Sequence, residues 1–428
     1  MAVVGGGISG LAVARGLRVR GVECTLFEAS ARAGGVLRSS RQNGHLLEWG
    51  PQRLRLTPEL RRLIKDLDLA DELLLAPPDA PLYIVRDGTL HAVPRSLSAL
   101  LRASLLSPAG RLRVLLEPLT APVEEDETVA EAFRRKFGDE AYRAVLGPLF
   151  GGLYASDPAN MRCADSLSRF IERAGAPRSL MLHALRIGSD RRTPAACTFR
   201  DGVAALPRGL ARSLGPDLRL EHPVQALERA GPGWRLTAGD GVGGPAGRAG
   251  RELGGPFSHI VLAVPAGAAA RILAGAAPEA AGRLARLTYN RLAMVHLAAT
   301  GPAIPGFGYQ TAFGEPLETR GVTFNDGLFG REGSVTAFLG GARNVQLPDW
   351  PDERIAALAE IEFRRVTKRP ATALEVSRPV VPAYDLSWRA LDDLRLPAGI
   401  HLCAGYLERA GVAGRLAQAI RLARKLAA

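Results

Sequence analysis

Three glycines within the first ten residues carry the earliest chemical signal in this 428-residue chain. Gly5, Gly7 and Gly10 fit the pattern Gly-x-Gly-x-x-Gly, with Ile8 and Ser9 in the last gap, directly after the apolar run Ala2 to Val4. A diphosphate can sit on a helix N-terminus only where the backbone turns sharply, admits the ligand without a Cβ, and packs the helix tightly on its strand. Each glycine has one of those jobs. Glu28 follows a second apolar run at about the twenty-residue spacing where an acid accepts both hydroxyls of an adenosine ribose. An acid there favours a ribose without a 2′-phosphate. A glycine pattern alone would also suit an ordinary turn. Here a strand precedes it, an amphipathic helix carrying Leu11, Val13, Ala14 and Leu17 follows, and the acid closes the next strand, so the stretch reads as a site for the ADP part of a dinucleotide.

A second group lies in Ala29 to Ser39, where Arg32, Gly34, Gly35 and Arg38 give Arg-x-Gly-Gly-x-x-Arg-Ser. Paired glycines let backbone approach a ligand a second time, and flanking guanidiniums can neutralise the diphosphate. Glu48 to Pro51, EWGP, adds an acid and a rigid Gly50-Pro51 turn. Beyond these, the chain has no paired carboxylates, Ser/His/Asp set or metal cluster that demands a catalytic role. Cys24, Cys163, Cys197 and Cys403 are too widely spaced for a disulfide framework or a metal site.

The elements that must position these groups are those of a large globular chain, 47% apolar and long enough for two or three lobes. The net charge of +12 would suit nucleic acid, an anionic membrane surface or an acidic substrate. Aromatics make up only 6%, and there is neither zinc-ligand spacing nor a basic low-complexity tail, so nucleic acid is the least attractive partner. Solvated faces of Ala/Leu/Arg helices explain much of the basic excess. No run reaches the ~18 apolar residues of a spanning helix, and the chain opens on a strand rather than a signal pattern. The expectation is a cytoplasmic protein, soluble or peripheral.

In chain order, Pro58 to Leu75 has helical spacing, and Leu82 to Pro94 reads as a hairpin turning at Asp87-Gly88. Arg95 to Pro118 gives two basic amphipathic pieces broken at Pro108 to Gly110, suited either to a membrane surface or to the core of a helical lobe. Thr128 caps a helix from Val129 to Phe137 that stops at Gly138, and another runs from Asp139 toward Phe150. A helix is expected over Ser166 to Ala174, a turn and helix over Phe199 to Leu214, strands within Leu218 to Thr237, and a loop over Gly239 to Gly255. Phe257 to Pro265 has the continuous apolarity of a strand buried on both faces. Arg291 to Ala299, Gly321 to Phe324 and Val335 to Gly341 read as a second, mixed sheet, followed by a helix over Asp352 to Val366. Ile400 to Ala404 reads as a strand, Gly405 to Gly411 as a loop, and Val412 to Leu426 as a helix.

The glycine loop with Glu28, the Arg32 to Arg38 segment and the Glu48 to Pro51 turn together resemble the amine oxidase-like flavoprotein superfamily. The resemblance implies FAD rather than NAD. It assigns the ADP half to the first stretch, the diphosphate and ribityl chain to the second, and the isoalloxazine ring to the turn at Gly50 and Pro51. Further stretches are LHAVP at Leu90 to Pro94, GGLYASDP at Gly151 to Pro158, GVAALPRGL at Gly202 to Leu210, FGY at Phe307 to Tyr309 and FLGG at Phe338 to Gly341. With these the chain resembles, over nearly its full length, the FAD-dependent, oxygen-using protoporphyrinogen oxidase family of haem biosynthesis. The implied fold is α/β, a Rossmann-like FAD-binding domain assembled from discontinuous segments (1–78, 176–287 and 376–428). A helical lobe (79–175) and a mixed-sheet substrate domain (288–375) are inserted into it.

Carried over residue by residue, the resemblance gives Val224 a backbone contact with the adenine and Ala263 the strand end beside the ADP. Gly405, Gly411, Val412 and Ala413 fall near the diphosphate, ribityl chain and flavin ring. Phe307, Gln310 and Phe338 line the tetrapyrrole cavity. No side chain is implied as catalytic acid or base, and no metal is implied. In that family a hydride leaves a methylene bridge of the porphyrinogen for flavin N5, dioxygen accepts the electrons, and repeated two-electron steps with tautomerisation aromatise the macrocycle.

The chain departs from the family in places. Pro81 and Leu82 stand where an Arg often pairs a substrate propionate, so that charge would have to come from Arg86, Arg95 or Arg162, each of which also has an ordinary surface reading. Arg378 stands where a flavin-packing Trp is usual, and GYLERAGVAG matches the flavin-ring segment poorly. The readings carried forward are oxidation of protoporphyrinogen or coproporphyrinogen, an FAD amine oxidase or polyene desaturase, and a flavin- or tetrapyrrole-binding scaffold with little turnover. The sequence leaves open the electron acceptor, the oligomeric state, a homodimer included, and lipid contact by Arg95 to Arg113.

Overall fold

The computed structural model describes residues 1–167, 179–181, 194–238, 251–407 and 411–428. Its nucleotide-binding half is organised on five parallel strands in the order Leu218–Arg219, Thr25–Phe27, Ala2–Val4, Ile260–Leu262, Ile400–Leu402. Successive side chains of a strand point to opposite faces, and the two cores follow that alternation. Val3, Leu26 and Val261 pack under Leu11 and Leu17 of the helix Ile8–Arg18 and Leu416 and Ala419 of the C-terminal helix Val412–Leu426. Ala2, Val4, Phe27, Ile260 and Leu262 pack on the other side with Leu227, Trp234, Leu236 and the helix Ala266–Leu273. The first and last helices lie so close that a Cβ on Gly16 would stand 2.7 Å from Ala423 Cβ.

The second half is a sheet in the order Ala371–Ser377, Tyr289–Ala299, Ser334–Gly340, Thr319–Phe324, Gly308–Thr311, Leu82–Arg86, Thr89–Ala92. Its neighbours are antiparallel except where Gly308–Thr311 runs parallel to Leu82–Arg86. Ala293, Val295 and Leu297 bury one face against Ile355, Ala359 and Phe363 of the helix Asp352–Thr367. The intervening residues, Met294 and His296, face the nucleotide-binding half, where they meet Gln52 and Trp49.

Several expectations need correction. The hairpin forms, with Asp87 at φ 51° and Gly88 at φ 70°, but its pairing with Gly308–Thr311 makes it part of the large sheet rather than the helical lobe. The helix from Pro58 ends at Asp66, because Asp68 takes a left-handed φ of 54°, and Leu73–Leu75 is a strand against Ala196–Phe199. Pro108 opens the helix Pro108–Leu115 instead of breaking it. Ser107 Oγ caps that helix by accepting from Gly110 N–H at 3.0 Å, and Pro at the first turn lacks an N–H that would go unsatisfied anyway. The helix expected to end near Phe150 runs to Tyr154, where Ala155 at φ 53° stops it. Only Ile260–Leu262 of the Phe257 to Pro265 run joins the parallel sheet. Phe257 ends the antiparallel strand Arg251–Phe257, so Gly254 and Gly255 belong to a strand, and residues 239–250 of the expected loop lie outside the described residues. A short helix, Cys163–Ser166, ends where the helix expected over Ser166 to Ala174 would begin, and residues 168–174 of that expected span lie outside the described residues. Thr128 caps its helix with Glu131 in a reciprocal capping box. Among the described residues no helix is long and apolar enough to cross a membrane, and no group of His, Cys, Asp or Glu could hold a metal ion.

Candidate active site

The glycine loop is defined by how little room it leaves. Gly5 has a φ of 105°, and a Cβ there would lie 2.6 Å from the Ala263 carbonyl oxygen. At Gly10 it would lie 1.9 Å from the Gly5 carbonyl oxygen. Gly7 is different: nothing lies within 4 Å of its Cβ position, so the loop is open there. The helix Ile8–Arg18 has no side-chain cap at Gly7 and no acid in its first turn, and its first intrahelical bond runs from Leu11 N–H to Gly7 C=O. The Ile8, Ser9 and Gly10 N–H groups and the positive end of the helix dipole are thus presented to a ligand.

Glu28 stands at the end of its strand with Oε2 accepting from Gly6 N–H at 2.6 Å and Oε1 accepting from Ser30 N–H and Oγ at 2.8 and 2.7 Å. The acid is therefore oriented by the loop it serves. Gly6, which the spacing rule leaves unassigned, is required for this, since a Cβ there would lie 2.9 Å from Glu28 Cβ. His222 N–H donates to the Glu28 carbonyl at 2.8 Å, which brings the start of the strand Val224–Ala230, and with it Val224, beside the same end.

The second glycine segment zips onto the first. Gly34 N–H donates to Gly6 C=O at 2.8 Å, Gly34 bridges Gly7, and Gly34 and Gly35 take φ values of 117° and 56°. Arg32 is exposed and donates to Gly35 C=O at 3.0 Å. Arg38 stacks its guanidinium 4.5 Å over the Trp49 ring, so it orders the turn rather than standing free toward the diphosphate. A Cβ on Gly50 would lie 2.1 Å from the Val36 carbonyl oxygen, which fixes the Gly50-Pro51 turn against this segment. At the far edge of the sheet, the Tyr384 hydroxyl donates to Gly405 C=O, and Gly411, at φ 113° with open space at its Cβ position, begins the helix that carries Val412 and Ala413. Residues 408–410 between them lie outside the described residues.

Gly5, Glu28, Ala263 and Gly405 all lie just past the carboxyl ends of parallel strands, where this architecture binds nucleotides. The cradle is open at Gly7 and Gly411, closed by backbone at Gly5, Gly10 and Gly50 and by the side chains of Glu28 at Gly6 and Arg415 at Gly405, and carries an acid at its ribose end. These residues fit an FAD.

The register of the second sheet brings the residues expected to meet a substrate into relation. Met294 opposes Phe338, Phe338 opposes Gly321, Gly321 opposes Gln310 and Gln310 opposes Ile84, one row across five strands. Gln310 lies flat over Gly321, whose Cβ position is 2.7 Å from Nε2, and Gly152 of the helix Gly147–Tyr154 approaches from above, its Cβ position 2.3 Å from Oε1. The structure thus brings Gln310 and Phe338 into one row. Phe307 is apart from it, ahead of the strand Gly308–Thr311, packed with Ala76, Ala80, Ala196 and Leu328 under the guanidiniums of Arg53 and Arg55.

Sequence reasoning missed the seam that joins the halves. Glu48 is fully buried, accepting from Ser39 Oγ at 2.5 Å, Val203 N–H at 3.1 Å and Arg331 Nη1 at 3.0 Å. Burial holds its carboxyl above the ordinary carboxylate range, with Arg331 pulling the other way. Arg331 also donates to Thr198 Oγ1 at 2.9 Å and Phe199 C=O at 3.1 Å. Gln52 donates to the carbonyls of Glu48 and Gly50 and accepts from Asn325 Nδ2 and Thr336 Oγ1, both at 2.9 Å, tying the Gly50 turn to the sheet. His296 packs edge-on to Trp49 at 5.6 Å, has no partner at Nε2, and is pushed down to about 4 by burial, so it is neutral at pH 7. A lone polar residue inside RLAMVHLAA was the signal available for it.

Two of the arginines considered as carboxylate anchors are committed elsewhere. Arg162 forms paired contacts to Asp165 and Asp392, and Arg86 reaches Leu105 C=O and Glu140. Arg95 donates to Ala80 C=O at 2.8 Å. Arg378, in place of an aromatic, donates to Pro348 C=O at 2.7 Å and pairs with Asp352.

Comparison with known proteins agrees with this geometry. The model of the flavin containing amine oxidoreductase family matches residues 8–396. Over 408 residues the chain is 25% identical to chloroplastic protoporphyrinogen oxidase 1 of Spinacia oleracea, covering 86% of this chain and 71% of that one. It is 28% identical over 380 residues to protoporphyrinogen oxidase of Homo sapiens (79% and 77% covered). It is 30% identical over 360 residues to coproporphyrinogen III oxidase of Mycobacterium leprae (strain TN), with 78% and 75% covered. Among solved structures, one from Exiguobacterium sp. 255-15, provisionally named a protoporphyrinogen oxidase, superposes with a TM-score of 0.78 at 22% identity over 100% of this chain and 98% of that one. Wild-type putrescine oxidase bound to putrescine superposes with a TM-score of 0.67 at 18% identity, covering 99% and 98%. At those identities the two structures speak to the fold alone. Fold and cradle together define an FAD-dependent oxidoreductase. Within that class, the chain belongs to the flavin containing amine oxidoreductase family.

Proposed function

We propose that the protein oxidises protoporphyrinogen IX to protoporphyrin IX, with dioxygen as the final electron acceptor. The observation that supports this reading is the uncharged row of Phe338, Gly321 and Gln310, which the strand register brings together on the side of the sheet where Met294 meets Gln52 of the nucleotide-binding half. The uncharged face of a macrocycle matches such a row. The names borne by the Spinacia oleracea and Homo sapiens relatives, which align with 86 and 79% of the chain, support it.

Bound FAD supplies the two-electron oxidant. The chain's own residues do the positioning. The glycine loop and Glu28 hold the nucleotide end, Gln52 and the Glu48–Arg331 pair fix the Gly50 turn against the substrate sheet, and the row presents the macrocycle. Neutral His296 adds no charge beside Trp49, and no carboxylate or other base stands on the row, so no side chain is given a proton to move. The reading is tested by supplying aerobic, FAD-loaded protein with protoporphyrinogen IX and following porphyrin fluorescence. A rate no higher than spontaneous oxidation, or peroxide formed from amines instead, would remove it.

Coproporphyrinogen III is the second reading, favoured by the 30% identity to the Mycobacterium leprae relative and by the extra cations near Phe307. Competition between the two porphyrinogens decides which has the higher kcat/KM. The reading extends to location, a cytoplasmic protein resting on the inner face of the membrane. Its support is the exposure of Leu101, Leu112, Leu116 and Leu119 beside Arg102 and Arg111. Pelleting with anionic vesicles at low salt, reversed by high salt, is the expected outcome, and no pelleting at low salt would contradict it.

A further inference from the structure

Among the described residues, two cations beside Phe307 meet no carboxylate, unlike Arg331 and Arg162, and Arg55 has only the Pro194 carbonyl, to which its Nη1 donates at 3.4 Å. The strand Leu54–Arg55 pairs with Ala196–Phe199, and Leu54 and Leu56 are buried in the core of the nucleotide-binding half. The two-residue period of a strand turns Arg53 and Arg55 to the other side. There their guanidiniums lie 4.9 and 5.9 Å from the centre of the Phe307 ring. Gln52, hydrogen-bonded on both sides of the seam, fixes the backbone from which Arg53 projects.

Among the described residues Arg53 makes no hydrogen bond and no ion pair, and the charge acting on it is that of Arg55; Arg95 in turn acts on Arg55. Arg331 and Arg162 meet carboxylates and carbonyls. Burial, and after it the repulsion from Arg55, pushes Arg53 down to about 10, which leaves it charged at neutral pH. Its side chain is crowded by protein yet keeps intermediate exposure, so it is reachable. Like charges held together over an aromatic ring, with no counter-charge among the described residues, repel one another until an anion joins them. A guanidinium receives a carboxylate through paired N–H donors.

We propose that Arg53 and Arg55 form a subsite for a carboxylate arm of the substrate, with Phe307 packing against the same arm. The porphyrinogen reading supplies the identity of that substrate, while the subsite itself rests on the arginines. It would supply beside Phe307, whose N–H donates to Pro81 C=O at 2.7 Å, the charge that the chain lacks at Pro81 and Leu82.

The test uses FAD-loaded full-length protein, wild type and the variants Arg53→Gln, Arg53→Lys and Arg55→Gln. Binding of protoporphyrin IX and of its dimethyl ester is read by fluorescence, and binding of 3-phenylpropionate and its amide by calorimetry. Wild type is expected to prefer each acid over its neutral partner by about tenfold or more. Arg53→Gln should lose the preference, Arg55→Gln should weaken it and Arg53→Lys should keep part of it, with FAD content unchanged. Preferences unaltered in both Gln variants would overturn the subsite, as would inorganic phosphate competing as well as 3-phenylpropionate. Phenylpropionate binding that depends on Arg53 in a protein that takes up neither porphyrin would overturn the substrate reading and leave the subsite standing. Porphyrin binding with no preference for the acid would do the reverse. If Arg53→Gln fails to fold, Arg53→Lys and Arg55→Gln decide the matter.

Discussion

A methyl group added at Gly10 would lie 1.9 Å from a backbone carbonyl oxygen that cannot move without opening the glycine loop, whereas one added at Gly321 meets the end of the Gln310 amide, which can swing aside. The two halves of the site are built differently. The nucleotide cradle depends on backbone meeting backbone at Gly5, Gly10 and Gly50, so single side chains decide whether it exists. The proposed substrate row depends on strand register, which brings Met294, Phe338, Gly321 and Gln310 into line from distant positions, so each residue there adjusts the row rather than creating it.

The sharpest way to break that contrast is within the loop itself. Gly10→Ala should yield protein without flavin, and most of it unfolded, because overpacking against backbone costs about 3 kcal/mol or more. Gly7→Ala should fold with nearly wild-type stability, since its Cβ position is open and its φ of −71° suits any residue, yet bind FAD far more weakly. Flavin absorbance per mole of purified protein, together with melting of the apoprotein, separates the two. Equal FAD affinity in Gly7→Ala would mean the ligand does not approach there.

Next in size is the seam. Arg331→Met leaves Glu48 buried without its cation and should lower stability by about 3–5 kcal/mol, most of it regained in the double variant with Glu48→Gln. The folded-state pKa of Glu48 is raised, so the folded chain binds this proton more tightly than the unfolded one. The resulting stability is present below the ordinary carboxylate value and lost as pH rises through the raised one. Urea titrations across that range should therefore fall less steeply in Glu48→Gln than in wild type.

His296 gives a comparable effect of opposite sign. Its pKa is lowered from 6.5 to about 4, so its contribution is present above 6.5 and is lost as pH falls toward 4. It amounts to about 3 kcal/mol. His296→Asn should flatten the acid limb of the stability profile, and an unchanged limb would show that the imidazole is not kept neutral by burial. Smallest is the face. Gln310→Ala should raise KM for the porphyrinogen several-fold with FAD content unchanged, because it removes a surface and no cofactor contact.

This contrast also explains what could be read from the sequence. The cradle was legible because its rule is local: Gly5, Gly7, Gly10 and Glu28 fall within one strand-helix-strand unit, and the Arg32 to Arg38 segment follows at once. Strands, the C-terminal helix and the capped helix from Thr128 followed from periodicity and end signals. The seam was not legible, because Glu48 meets Arg331 across 283 residues of chain, and Gln52 meets Asn325 and Thr336 across 273 and 284. Pairing also overrode local reading at Leu73–Leu75, which is a strand only because Ala196–Phe199 lies beside it, and in the Leu82–Arg86 hairpin, claimed by the large sheet. The partners of the arginines were hidden for the same reason. Nothing near Arg162 in sequence announces Asp392, and nothing near Arg53 announces that no acid among the described residues meets it.

The central claim, that the cradle and the proposed substrate row act together on a porphyrinogen, is tested most directly by mixing FAD-loaded protein with protoporphyrinogen IX in the absence of oxygen. The flavin absorbance should bleach as porphyrin fluorescence appears, and readmitting oxygen should restore the flavin and continue the reaction. A visible flavin spectrum unchanged by protoporphyrinogen and coproporphyrinogen, but bleached by an amine, would contradict it.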